Sequence, residues 1–163
     1  MDTATPLPTS AQRVADLLQA LQHPDAVIML PASGRTSAEA AAALGCEVGA
    51  IAKSIIFRRL QDDCAVLVLA SGAVRIDEAR VSAISGAIGR ADAAFVREKT
   101  GYAIGGVCPL GHNSAPLILL DRSLQAWPQV WAAAGHPHAV FPATPAQLHA
   151  YTGGEWVDVA LQA

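Results

Sequence analysis

Lys53 stands inside Ala50-Ile51-Ala52-Lys53-Ser54-Ile55-Ile56-Phe57, where an ammonium group among apolar neighbours is costly unless it finds a partner. As a compact point charge it could anchor a phosphate, or act as a base if burial depressed its pKa. Strand alternation that aims it at solvent is the competing reading, and the run itself does not choose. A second candidate is the loop from Gly101 to Gly111, Gly-Tyr-Ala-Ile-Gly-Gly-Val-Cys-Pro-Leu-Gly. Its Gly105-Gly106 pair suits either a tight turn or the close approach of bare N–H groups to a carbonyl or developing oxyanion. Cys108 within it could be a nucleophile beside His112 or His136, but nothing identifies a paired base, so a small apolar filler is preferred. The third cluster, Gly135-His136-Pro137-His138, places two histidines at i and i+2. With His112 they would make three zinc ligands, yet no carboxylate stands at a familiar spacing. A single histidine orienting a hydroxyl or carbonyl is preferred, and no metal or cofactor is expected.

Several chemistries lack their motifs. There is no Gly-x-Gly-x-x-Gly after a strand, no phosphate loop ending in Gly-Lys-Ser/Thr and no Gly-x-Ser-x-Gly elbow. The 163 residues are 52% hydrophobic and 15% charged with net charge -3, which predicts one domain over residues 1–163 and excludes a broadly basic nucleic-acid coat. DNA binding is not expected, because no helix has a basic face. Any nucleic-acid contact must be local. Three cysteines without a Cys-x-x-Cys spacing point to a reducing cytoplasm. Residues 1–10 lack the basic and apolar regions of a signal peptide, and no apolar run reaches the roughly 20 residues of a membrane span.

These candidates need elements to hold them. Ser10 caps an expected helix to about Gln22 with Val14, Leu17, Leu18 and Leu21 as its buried stripe, and residues 26–30 form a short strand. Thr36 or Ser37 caps an alanine-rich helix that stops at Leu44-Gly45. Residues 53–60 and 64–70 read as a hairpin, and 77–85 and 92–100 as acid-capped helices linked through Gly86 and Gly89. Beyond the glycine loop come a strand at 116–121, a Trp-containing helix within 123–134, a strand at 138–141, a helix from Thr144-Pro145 to about Tyr151, and a strand at 155–161. The irregular alternation predicts an α+β fold with a mixed sheet.

Gly45 to Ser54, Gly105 to Gly111, Ala134-Gly135-His136 and Thr152-Gly153-Gly154, taken in order and spacing, resemble the YbaK family, free-standing relatives of the prolyl-tRNA synthetase editing domain. The resemblance runs from about the first helix to the end. It implies a mixed, barrel-like β-sheet flanked by helices, and trans-editing: hydrolysis of the ester that joins a wrong amino acid to the 3′-terminal adenosine of tRNA, chiefly tRNA for proline. It assigns Lys53 to the terminal nucleotide and its phosphate, Gly105 and Gly106 to the substrate carbonyl, and Gly135 and His136 to the aminoacyl group, although relatives do not all share the histidine. Gly101, Val107, Cys108, Pro109 and Gly111 join them as substrate-contacting positions, with Cys108 a bystander to the chemistry. Family members are thought to activate water with the terminal ribose hydroxyl, which would explain the missing triad. The implied partners are the aminoacyl-tRNA acceptor end, gripped by local charge from Lys53 and Arg58, Arg75 or Arg80, and a prolyl-tRNA synthetase or elongation factor. The implied side chains are small: alanine, 2-aminobutyrate, cysteine or serine. A non-catalytic module that binds tRNA ends or a synthetase is the rival.

Overall fold

The computed structural model describes residues 6–161, so residues 1–5 of the N-terminal segment read for a signal peptide lie outside it. Helix α1 covers Thr9–Ala20, one residue ahead of the expected cap, with Pro8 in the capping position and no side-chain cap bond. It buries Ala11, Val14 and Leu18, a three-and-four stripe, while Leu21 beyond its end is exposed. Strand β1 (Ile28–Met29) precedes α2 (Ser37–Leu44). In α2, Thr36 and Glu39 close a reciprocal capping box, and Gly45 ends the helix in the left-handed region.

Strands β2 (Ile51–Arg59) and β3 (Ala65–Ser71) form the expected hairpin. Helices α3 (Glu78–Ser85) and α4 (Ala93–Thr100) are capped by Asp77 and Asp92 as read from the sequence. Between them lies an unforeseen strand, β4 (Ile88–Arg90), too short and too glycine-interrupted to show a period of two. After β5 (Leu117–Asp121), the expected Trp-containing helix is only a 3-10 turn at Arg122–Ala126. Pro128 explains the correction, since the residue before a proline is driven out of the helical region and Trp127 is extended (φ -116°, ψ 135°). Where the expected helix would continue, the chain forms β6 (Val130–Ala133), followed by the expected strand as β7 (Ala139–Ala143), then α5 (Pro145–Thr152) and β8 (Glu155–Val157). Strand β8 stops four residues short of expectation because Val159 turns its N–H to the buried Asp121 carboxylate, 2.8 Å away.

The result is α+β: an eight-stranded mixed sheet in the order β1-β7-β6-β2-β3-β5-β8, with β4 added to β2, and helices flanking it. Strand β3, held between β2 and β5, is buried along its whole length. One detail of register makes the site. Strand β2 pairs with β6 only through Ile51 and Ala52, and with β4 only from Phe57 onward. From Lys53 to Ile56 its ladder runs to β3 alone, so the sheet splits there.

Candidate active site

Lys53 and Ser54 stand at the start of that split and line a cavity of about 190 Å³. This is below the roughly 300–1,000 Å³ of pockets that enclose drug-sized ligands, so the space suits a small group. Alanines at 40, 52, 133 and 139 contribute short side chains to its wall, and Ile51, Ile104, Trp131 and Val140 bulky ones. The Lys53 ammonium donates to the Val74 carbonyl and is half-buried; desolvation holds its pKa below the ordinary lysine value. No carboxylate lines the cavity. Its fixed charges are therefore the cations of Lys53 and Arg35.

The opposite lip is the glycine loop. The Gly106 N–H donates to the Ala103 carbonyl at 3.0 Å and closes a tight turn whose third residue, Gly105, has φ +94°. The N–H groups on either side, of Gly105 and Val107, have no acceptor among the described residues, and both residues line the cavity. Gly106 itself is buried under the β6–β7 loop: a Cβ there would lie 2.8 Å from the N, Cα and C atoms of His136. This close approach brings His136 to the cavity. Its Nδ1 accepts the His138 N–H at 3.0 Å, so the neutral ring carries its proton on Nε2. A hydrogen bond of 2.7 Å from the Gly34 N–H to the Pro137 carbonyl draws Arg35 and the α2 N-terminus to the same rim.

A small cavity with a half-buried lysine, two unspent N–H groups, a histidine and no acidic base can polarise an already activated carbonyl. Residues 32–151 match the family model of the aminoacyl-tRNA editing domain. The chain belongs to that family. Among curated proteins it is similar to YwhH of Bacillus subtilis (strain 168), an uncharacterized protein, at 34% identity over 78% of this chain and 82% of that one. A solved structure described as a candidate trans-editing enzyme for prolyl-tRNA synthetase is 43% identical, with TM-score 0.89 over 96% of this chain and all of that one. The hypothetical protein APE2540 is 27% identical, with TM-score 0.82 over 91% of this chain and 99% of its own.

Of the positions singled out in the sequence, this editing domain gathers Lys53, Gly105, Val107 and His136 at one cavity, with Gly106 behind them. Gly101 and Gly135 line a neighbouring groove. Cys108, Pro109 and Gly111 do not line the cavity. Cys108 is fully buried, its thiol pushed up to about 12 by burial, while Pro109 and Gly111 border a separate cleft beside α5. His112 lies in that cleft too, apart from His136 and His138. Among the described residues, no three His, Cys, Asp or Glu side chains are grouped to hold a metal ion. No helix is long and apolar enough to cross a membrane among the described residues.

Of the cations named for the acceptor end, Arg58, Arg75 and Arg80 lie outside the cavity lining. Arg58 pairs with Asp63 at 2.6 Å and Arg80 with Asp77 at 3.5 Å, whereas Arg35 lines the cavity. Ser54 was also missed: its hydroxyl is buried at the cavity and has no partner among the described residues. The only sequence signal was its place next to Lys53.

Proposed function

We propose that this editing domain is a trans-editing deacylase that hydrolyses the ester of mischarged aminoacyl-tRNA, with tRNA for proline bearing alanine, 2-aminobutyrate, cysteine or serine as substrate, in the cytoplasm. The observation that carries the reading is the convergence of Lys53, His136, and Gly105 and Val107 with their unspent N–H groups on one small cavity without a carboxylate. In this mechanism the aminoacyl group enters the alanine-walled cavity and its carbonyl oxygen accepts from Gly105 and Val107. Water adds to the carbonyl carbon, the bond to the ribose 3′-oxygen breaks, and that oxygen leaves as a hydroxyl with a proton derived from the water. One oxyanion donor is worth about 10²–10³ in rate, so preorganised donors can act without a protein nucleophile on an ester. Lys53 supplies positive charge toward the terminal nucleotide, and the His136 Nε2–H orients the aminoacyl group.

A cavity of about 190 Å³ bounded by Trp131 and Val140 would act as a size filter, admitting small side chains and excluding bulky ones. The test is a deacylation panel of proline tRNA charged with each of the four small amino acids. Lys53→Ala is expected to lower kcat/KM by about 10²-fold on the preferred substrate. Equal rates for wild type and Lys53→Ala on every substrate would overturn the proposal. Tight binding of charged tRNA without turnover would favour a non-catalytic module that binds tRNA ends.

A further inference from the structure

An open groove of about 470 Å³ adjoins the cavity and shares Arg35, His136 and Pro137 with it. Arg97, near the end of α4, and His138 line its far part, and no carboxylate lines it anywhere. Of the nine arginines, four make no ion pair or side-chain hydrogen bond among the described residues, Arg35, Arg75, Arg90 and Arg97, and two of these four line the groove. Ion pairs occupy Arg58, Arg59, Arg80 and Arg122, and Arg13 donates to the Gly111 carbonyl while lying over the Tyr102 ring. Arg35 and Arg97 are both exposed, and neither has a carboxylate within ion-pair distance among the described residues. Tyr102 in the groove lining is buried, and the aromatic rings the groove offers are those of His136 and His138. Beside them stand the guanidinium groups of Arg35 and Arg97, which suit a phosphate backbone.

We propose that this groove binds the phosphodiester backbone of the single-stranded nucleotides preceding the one whose ester enters the cavity, with Arg97 and Arg35 as phosphate contacts. This rests on the reading of the cavity as the ester site. A strand whose terminal group fills a cavity of this size must leave over its rim, and Arg35, His136 and Pro137 line both the cavity and the groove. Contacts of this kind are sequence-tolerant and weaken as counterions are added.

The experiment compares hydrolysis of charged tRNA with that of the same amino acid esterified to adenosine, which carries no phosphate. Arg97→Ala should raise KM for charged tRNA roughly five- to tenfold with kcat unchanged, reduce the salt slope by about one, and leave the adenosine ester unaffected. Arg90→Ala, which removes an exposed arginine outside the groove, should change neither KM. Equal losses on both substrates would overturn the proposal, because Arg97 would then be supporting the cavity. So would an unchanged KM and salt slope on tRNA, because the strand would then leave elsewhere. If wild type hydrolyses neither substrate, the reading of the cavity fails, and anisotropy with a labelled, uncharged RNA of the tRNA 3′-terminal sequence decides the groove separately. Binding weakened by Arg97→Ala would support it; no binding, or binding indifferent to Arg97→Ala, would overturn it.

Discussion

The loop between α4 and β5 has two halves that use glycine for different ends. In the outer half, the turn from Ala103 to Gly106 sets Gly105 and Val107 at the cavity with N–H groups that have no acceptor among the described residues, and exposes Ile104 at its tip. The inner half, through His112, is bound into the body of the molecule: the Tyr102 hydroxyl donates to the Leu110 carbonyl at 2.8 Å and the His112 ring nitrogen to the Cys108 carbonyl at 2.6 Å. The side chains with familiar reactivity, Cys108 and His112, both belong to this inner half. The half facing the cavity contributes backbone. Reactive residue types within a loop are thus a poor guide to which part of it meets a substrate, because a buried thiol whose pKa is raised to about 12 is a packing group.

The sharpest way to break the comparison is Gly106→Ala. The added Cβ would lie 2.8 Å from three backbone atoms of His136, which cannot rotate away, so the turn and the histidine must separate. A displacement of order 1 Å at a reacting centre costs about 10²-fold, the expected fall in kcat/KM, with a stability loss of about 1–3 kcal/mol. Full activity in this variant would mean that the turn does not set the site. Gly111→Ala is the matched change in the inner half. It forces an alanine to φ +72° with its Cβ 2.4 Å from Leu17 Cδ1 and 3.0 Å from the Tyr102 hydroxyl. Thermal or urea unfolding should show a loss of about 1–3 kcal/mol while kcat/KM of the folded protein is kept. A fall in kcat/KM without a fall in stability would show that the two halves do not divide as described.

Much of this arrangement was legible because its signals are local. Thr36 and Glu39 announce the capping box of α2, Asp77 and Asp92 cap their helices, and the β2–β3 hairpin follows from two apolar runs across Gln61-Asp62-Asp63. The position of Lys53 at a split in the sheet was not legible, because the split depends on β4, three residues with glycine in the middle. Arg35 reads as one charge in a turn after β1. It reaches the rim through the bond from Gly34 to Pro137, a contact across more than a hundred residues that no local pattern encodes. The hydrogen bonds of the glycine turn were equally hidden. Sequence pairs Gly105 with Gly106, whereas the structure spends the Gly106 N–H within the turn and leaves those of its neighbours. The cations at Arg58 and Arg80 looked available only because their aspartate partners cannot be assigned without coordinates.

The smallest effect expected lies in the inner half and is one of pH. His112 is largely enclosed: its Nε2 faces the Cys108 carbonyl, and its buried Nδ1 has no partner among the described residues. A carbonyl can only accept, so Nε2 donates and the bare Nδ1 is the site a second proton would take. Desolvation opposes that charge and holds the folded-state pKa below the ordinary 6.5. The unfolded chain therefore binds the proton first as pH falls below about 6.5, and stability is lost from there down toward the folded-state value; above that range His112 has no influence. Urea unfolding at about pH 7.5 and about pH 5.5 should give wild type a lower midpoint at the acid value. His112→Gln, which keeps a donor for the Cys108 carbonyl but cannot titrate, should lose less between the two. Because His112 is outside the cavity, kcat/KM of the folded variant should follow the wild-type pH profile. An acid loss as large in His112→Gln as in wild type would show that the ring is protonated in the folded protein, and an altered kcat/KM profile would put His112 back with the half of the loop that faces the substrate.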